Sequence, residues 1–154
     1  MRQLKVPAAA GAKRARVTVQ AGKKPPAQRL IEWENGIEIT LTPLAAAEIE
    51  SDSRLKTLAA QRVRDSVGAC FGQLEKLDVQ FVEFDLHLDA KLQEAAILGL
   101  ELALYRFKRV FKSEPLKVGI SLENNGRVIA HKVLEAATAA GVATNLARHL
   151  TNLP

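Results

Sequence analysis

The sequence is short of several residue types, and each shortage excludes a class of protein. Cys70 is the only cysteine, so no intrachain disulfide can form and a disulfide-stabilised scaffold is excluded. Aromatic residues make up only 5% of the chain, so a core must be built from Leu, Val, Ile and Ala. No apolar run reaches the roughly 18 residues of a membrane span, and the nearest, 95–104, is interrupted by Glu101. The first residues also lack the apolar segment of a secretory signal, so we expect a cytoplasmic protein with no membrane partner.

Positive charge is concentrated at the start of the chain. Residues 1–29 contain eight of the 22 basic residues and no acidic one, whereas the rest carries 14 basic and 17 acidic residues. Such a basic segment, whether flexible or ordered, can bind the phosphate groups of a nucleic acid. The candidate DNA contacts are Lys13, Arg14, Arg16, Lys23 and Lys24. An Arg-rich transit peptide and a solvated basic arm are the alternatives, since charge alone is weak evidence for a nucleic-acid partner.

Alternation of apolar residues predicts strands in the first third of the chain. Residues 16–20, 30–33 and 37–41 fit this pattern. Asn35-Gly36 lies between the second and third segments and is the strongest short signal for a β-hairpin. Pro43 is expected to close this β-rich part.

Helices and strands alternate in the rest of the chain. The predicted order is a helix over 55–77, a strand over 79–86, a helix over 90–107, a strand over 116–122 and a helix over 128–150. Candidate caps and turns are Ser51, Asp52, Ser53, Asp89 and Asn124-Asn125-Gly126. Strands that alternate with helices imply right-handed crossovers and parallel pairing. The predicted class is therefore α/β, with a mixed, largely parallel sheet flanked by helices.

The first long helix is predicted to be amphipathic and the second to be central. The apolar stripe of the first consists of Leu55, Leu58, Ala59, Val63, Val67, Cys70, Phe71, Leu74 and Leu77. In this stripe Cys70 is interpreted as a buried small hydrophobic residue. The second helix is apolar nearly all round and should be largely buried. We expect Leu98 and Leu102 to lie on its most buried face, and Leu100 and Leu104 to lie on the other.

Glycine inside a helix costs about 1 kcal/mol relative to alanine. Gly68, Gly72, Gly99 and Gly141 all fall inside predicted helices. Close packing of backbone on backbone is the expected compensation.

Few residues can carry chemistry. The three histidines lie on different predicted elements, and the sequence has no His-Glu-x-x-His, paired Cys-x-x-Cys, Gly-x-Ser-x-Gly or Walker-type glycine loop. Asp85, His87 and Asp89 would share one face of a continuous strand and could converge on a divalent cation. We favour the alternative, in which the strand ends near Leu86, His87 lies in the connecting turn and Asp89 caps the next helix. No catalytic and no metal-binding residue is therefore assigned.

Two segments resemble the leucyl aminopeptidase family (cytosol aminopeptidases). Residues 99–112 read G-L-E-L-A-L-Y-R-F-K-R-V-F-K and resemble the family's Gly-Leu-x-Leu-x-x-Tyr-Arg-Phe stretch, after which a basic loop follows. Residues 143–154 read A-T-N-L-A-R-H-L-T-N-L-P and resemble its Asn-Leu-Ala-Arg-Asp-Leu-x-Asn-x-Pro segment, with His149 where an acidic residue is usual. The matching residues are Tyr105, Arg106, Phe107, Asn145, Leu146, Ala147, Arg148, Leu150, Asn152 and Pro154. The likeness covers the chain from about residue 54 onwards.

The resemblance implies that residues 1–154 form the single N-terminal domain of such an enzyme, a macro-domain-like three-layer sandwich. Residues 143–154 would begin the linker to a catalytic domain outside this sequence. That domain would hold two divalent metal ions, zinc or manganese, through Lys, Asp and Glu, and would remove N-terminal residues from peptides. The expected partners are this catalytic domain and neighbouring subunits, since family members assemble as hexamers. The alternatives are a DNA-binding module and a ligand-binding one, because macro domains hold ADP-ribose, although no glycine-rich phosphate loop is present here.

Overall fold

Six strands form one sheet in the computed structural model, which describes residues 12–23, 26–33, 36–49, 53–105 and 119–151. The strands are β1 (Arg14–Gly22), β2 (Ala27–Trp33), β3 (Gly36–Ala45), β4 (Phe81–His87), β5 (Gly119–Asn124) and β6 (Arg127–Val128). They lie in the order β2-β3-β1-β4-β5-β6. The four inner strands are parallel to one another, and the edge strands β2 and β6 are antiparallel to their neighbours.

Four helices are described, and two of the long ones connect parallel strands. They are α1 (Ala46–Ile49), α2 (Ser53–Glu75), α3 (Ala90–Leu104) and α4 (His131–Thr151). Helix α2 carries the chain from β3 to β4, and α3 carries it from β4 towards β5. The predicted α/β class, with a mixed and largely parallel sheet flanked by helices, is confirmed, and the arrangement is consistent with a three-layer sandwich. Within the described residues, no helix is both long and apolar enough to cross a membrane.

Alternate side chains of the inner strands fill the core. Val17, Ile39 and Phe84 are fully buried on the face that packs against the helices. The other face presents polar side chains, including Arg16 and Glu83. This division follows from the two-residue period of a strand, which turns alternate side chains to opposite faces.

The hairpin prediction is confirmed by pairing. β2 runs antiparallel to β3, with Trp33 opposite Gly36, although Asn35 itself lies outside the described residues. Pro43 does not close the β-rich part, because β3 continues to Ala45. It lies at a register shift against β1, between the pairs Val19–Leu41 and Ala21–Leu44. A bulge of this kind tolerates proline because no ladder hydrogen bond from its nitrogen is needed there.

The predicted turn at Asn125-Gly126 is confirmed, but the element after it was missed. Asn125 and Gly126 have φ of 51° and 70°, the backbone conformation of a two-residue hairpin loop. The loop joins β5 to the short strand β6, and α4 begins only at His131. The prediction of helix from Val128 is therefore wrong, because the turn pairs Val128 with Glu123 in the sheet.

Helix α2 packs with the predicted stripe only in part. The stripe residues Ala59, Val63, Val67, Cys70, Phe71 and Leu74 are buried. Leu58 and Leu77 are 51% and 37% exposed, so they lie outside the contact with the core. The candidate caps Ser51 and Asp52 fall outside the described residues.

Helix α3 is central, but its orientation differs from the prediction. Ile97 and Leu100 are fully buried, whereas Leu98 and Leu102 are only partly buried. The helix is apolar nearly all round, so its sequence does not indicate which face meets the sheet. It begins as predicted, since the Asp89 carboxylate accepts a hydrogen bond from the Leu92 backbone N–H at 2.9 Å. Its last described residue is Leu104, with Tyr105 as C-cap, and the predicted end at Phe107 lies outside the described residues.

Close helix packing explains three of the four helical glycines. A Cβ on Gly99 would lie 2.3 Å from the carbonyl oxygen of Arg64 in α2, and one on Gly68 would lie 3.2 Å from the carbonyl oxygen of Gly99. One on Gly141 would lie 2.6 Å from Cβ of Glu101, so α4 also approaches α3 closely. Gly72 has no such neighbour within 4 Å.

Candidate functional site

The two family-like segments meet where α3 ends against α4. Tyr105 is the C-cap residue of α3, with an extended backbone (φ −63°, ψ 129°). Asn145 and Arg148 lie on α4. The matching residues Arg106, Phe107, Asn152 and Pro154 lie outside the described residues, so the site is built from the remaining ones.

Side chains of α4 bind the carbonyl end of α3. The Asn145 side-chain amide donates to the carbonyl oxygen of Glu101 at 3.1 Å, and Nη1 of Arg148 donates to that of Leu102 at 3.4 Å. The last four carbonyls of a helix have no partner within the helix, so these contacts satisfy two of them. The Arg148 guanidinium also lies 5.2 Å from the centroid of the Tyr105 ring, within the range of a cation–π contact. A cation at this position is favoured by the negative end of the helix dipole.

The neighbouring motif residues face away from this junction. Leu146 is 57% exposed and Ala147 is also exposed. The Asn-Leu-Ala-Arg segment therefore presents polar residues to α3 and apolar residues outwards.

An open groove of about 510 Å³ lies beside the junction. It is lined by Arg64, Asp65, Gly68, Ala69, Gly99, Leu102, Ala103, Thr144 and Arg148. Asp65 accepts from Nε of Arg64 at 2.9 Å, and the Thr144 hydroxyl donates to the Ala140 carbonyl at 2.9 Å. The charged groups of the groove are therefore the Arg64–Asp65 ion pair and the Arg148 guanidinium.

Asp85 is the centre of a second polar cluster, on the face of the sheet that carries Arg16 and Glu83. Asp85 is only 5% exposed. Its Oδ2 lies 2.9 Å from Nε2 of His87 and 3.7 Å from Nη2 of Arg16, and its Oδ1 accepts from the Gly126 amide at 3.4 Å. Burial by itself raises the pKa of Asp85. The contact with His87, together with the Gly126 and Asn125 amides, outweighs burial, so the pKa of Asp85 lies below its ordinary value.

This cluster corrects one prediction and confirms another. His87 does not lie in a turn, because β4 continues to His87 through its pairing with Gln20. Asp89 caps α3, as favoured, and does not join Asp85 and His87. In the described part of the chain, no group of three His, Cys, Asp or Glu is placed to hold a metal ion. The contribution of Arg16 was missed, because the β1–β4 pairing joins segments that are distant in sequence.

Cys70 is buried as predicted. It is 1% exposed, and burial raises the pKa of its thiol to about 12. The thiolate is the nucleophilic form of cysteine, so this residue is a packing residue.

The basic residues proposed to contact DNA are spread along β1. Lys13 Nζ lies 3.2 Å from Oε1 of Glu32, and Nε of Arg16 lies 3.4 Å from Oε1 of Glu83. Arg14 is exposed near the start of β1, and Lys23 follows its end. At about 3.3 Å per residue, a strand of this length separates its two ends by about 30 Å. Lys24 lies outside the described residues, and DNA binding stays a prediction.

Comparison with known proteins gives a likeness at the level of the fold. No protein-family model and no curated protein matches the chain. Among solved structures, the chain is similar to the bottromycin maturation enzyme BotP in complex with Mn, with a TM-score of 0.59 and 18% sequence identity. The similarity covers 95% of this chain and 32% of that chain, so this chain spans about a third of that enzyme's length. At this level of identity the comparison shows a shared fold alone.

Proposed function

We propose that this chain is the non-catalytic N-terminal domain of a dinuclear-metal leucyl aminopeptidase. In this role it supports the assembly or regulation of a catalytic domain that removes N-terminal residues from peptides. The observation that carries the proposal is the junction of α3 and α4. Tyr105 belongs to one family-like segment, Asn145 and Arg148 to the other, and the three meet at the end of one helix.

The likeness to BotP supports the proposal at the level of the fold. That protein is an enzyme solved in complex with Mn, and this chain corresponds to about a third of it. A longer enzyme that was solved in complex with Mn therefore contains a part with this fold. Manganese is also one of the two metals that the family resemblance implies.

The chemistry of the described residues fits a supporting role better than a catalytic one. Two divalent ions need clustered carboxylates or imidazoles, and the described residues contain no such group of three. The buried Asp85 carboxylate already accepts from Gly126 and lies beside His87. The metal ions are therefore assigned to the catalytic domain of the proposed parent enzyme. A cytoplasmic location belongs to the same proposal, since the resembled family is that of the cytosol aminopeptidases.

A peptidase assay tests the proposal directly. The chain alone, incubated with leucine p-nitroanilide and either Zn²⁺ or Mn²⁺, should hydrolyse it no faster than buffer with the same metal. Metal-dependent hydrolysis above that blank would overturn the non-catalytic role.

The coding sequence beyond the Pro154 codon supplies a second test. It should encode a domain with the Lys, Asp and Glu residues that bind two metals. An open reading frame that continues into a domain of different chemistry, or a stop codon at that point, would contradict the family assignment.

A further inference from the structure

The outer face of α4 has almost no polar character. Between Glu135 and Arg148 the helix carries no charged residue. Val142, Leu146 and Leu150 are 59%, 57% and 58% exposed. A surface helix ordinarily turns charged and polar residues to solvent, so this face has the composition of a contact surface.

The apolar residues of this face follow a seven-residue repeat. Ala136, Ala139, Ala143, Leu146 and Leu150, here called the α4 seam, are spaced alternately by three and four residues and are all exposed. This spacing is that of the residues that meet in a pair of coiled helices. The inner face of α4, with Val133, Ala137 and Gly141, is buried, and the seam lies on the exposed side of the helix.

We propose that the α4 seam binds the α4 seam of a second copy of this chain, with the two helices antiparallel. The reason is the distribution of side-chain size: the N-terminal half of the seam is alanine, and the C-terminal half is leucine. A two-fold axis between Thr144 and Asn145 places Leu146 against Ala143 of the second copy and Leu150 against its Ala139. Each layer then combines one large and one small side chain, which keeps the helices evenly spaced.

A parallel pair would pack less well. It would put alanine on alanine at one end and leucine on leucine at the other, leaving gaps beside the alanines that forfeit dispersion contacts. The antiparallel pair also sets the two helix dipoles in opposite directions. The same patch serves both subunits, as two-fold symmetry requires.

The size of the seam sets the strength of the contact. At 1.5 Å per residue, the helix from Ala136 to Leu150 spans about 21 Å. A standard stable interface buries about 800 Å² on each partner, which one helix face of this length does not reach. The dimer is therefore weak and depends on concentration. It does not depend on the proposed peptidase role, since it needs only α4.

The dependence of the sedimenting mass on the concentration of the chain tests whether two α4 seams pair. In sedimentation velocity from about 10 μM to about 1 mM, a range suited to a contact below standard size, the mass should rise from 16.8 kDa towards twice that value. Leu146→Asp should keep the chain monomeric throughout. The matched control is Leu58→Asp, since Leu58 is 51% exposed on α2, and it should dimerise like the wild type. A wild-type chain that stays monomeric at the highest concentration, or equal loss in both variants, overturns the proposal.

Disulfide trapping tests the antiparallel arrangement. An Ala139→Cys chain mixed with a Leu150→Cys chain should form a mixed disulfide under mild oxidation. Neither variant alone should do so, because each introduced thiol lies about 16 Å along the axis from its own copy, beyond the reach of a disulfide. The buried Cys70 competes little, since the pKa of its thiol is about 12. Disulfides formed by each variant alone would show parallel pairing, and no disulfide in the mixture would exclude the seam.

Discussion

Replacing Gly99 with alanine should force α2 and α3 apart. The added Cβ would lie 2.3 Å from the carbonyl oxygen of Arg64, 3.0 Å from its carbonyl carbon and 3.2 Å from its Cα. All three atoms belong to the backbone of α2, so no side-chain rotation relieves the overlap. One helix has to move relative to the other.

The magnitude follows from the size of that movement. An ordinary Cβ contact begins at 3.4 Å, so the helices must separate locally by about 1 Å, and such a gap forfeits a quarter to a half of each dispersion contact across it. Overpacking of this kind costs about 1–3 kcal/mol, and alanine recovers about 1 kcal/mol through helix propensity. The expected net loss in the free energy of unfolding is up to about 2 kcal/mol.

The matched control is Gly72→Ala in α2. A Cβ there would meet no atom within 4 Å, so the variant should gain about 0.5–1 kcal/mol from reduced backbone entropy in the unfolded chain. Urea unfolding of both variants, with the m-value unchanged, measures the difference as a shift in midpoint. If Gly99→Ala is as stable as Gly72→Ala, α2 and α3 do not approach each other at Gly99.

Two further predictions concern the polar clusters. The pKa of Asp85 is lower in the folded chain than its ordinary value. The ionised carboxylate therefore stabilises the fold at pH values above the unfolded pKa of about 3.9. This stabilisation is lost as the pH falls through the folded pKa. Thermal melts at pH 7 and pH 3 should therefore show a smaller acid-induced decrease in Tm for Asp85→Asn than for the wild type, and equal decreases would contradict the assigned role. Arg148→Ala should lower the free energy of unfolding by about 1 kcal/mol, since it removes a cation and a hydrogen bond from the end of α3. Arg148→Lys should restore only part of the lost stability because an ammonium does not stack on Tyr105 as a guanidinium does. An unchanged urea midpoint in Arg148→Ala would show that Arg148 does not stabilise the end of α3.

Local patterns in the sequence were enough to predict most elements. The alternation at residues 16–20 and the Asn35-Gly36 pair at the start of β3 depend on neighbouring residues only, and the two predictions agree with β1 and with the β2–β3 pairing. The N-cap at Asp89 is equally local, because its partner is three residues away.

Several features that depend on particular tertiary contacts were predicted wrongly or not predicted. Pro43 stops an isolated strand, yet a bulge against β1 accommodates it. The prediction that Leu98 is more buried than Leu100 is wrong. Helix α3 is apolar nearly all round, so its sequence does not determine which face packs against the sheet. The ion pair of Arg16 with Asp85 arises from the pairing of strands that are far apart in the chain, and no short pattern signals it.

The segment from Asn145 to Arg148 shows how one helical turn can serve two contacts. Asn145 and Arg148 are three residues apart and therefore lie on the same side of α4, where both bind carbonyls at the end of α3. Leu146 follows Asn145 by one residue, a rotation of about 100°, which turns it away from α3 and towards solvent. The inward residues fix the position of α4, and that position determines where the outward leucine lies. Weakening the junction through Arg148→Ala should therefore also weaken the α4 seam. Leu146→Asp should remove the seam contact and leave the hydrogen bonds to α3 intact, because the two sets of residues share a helix but not a surface.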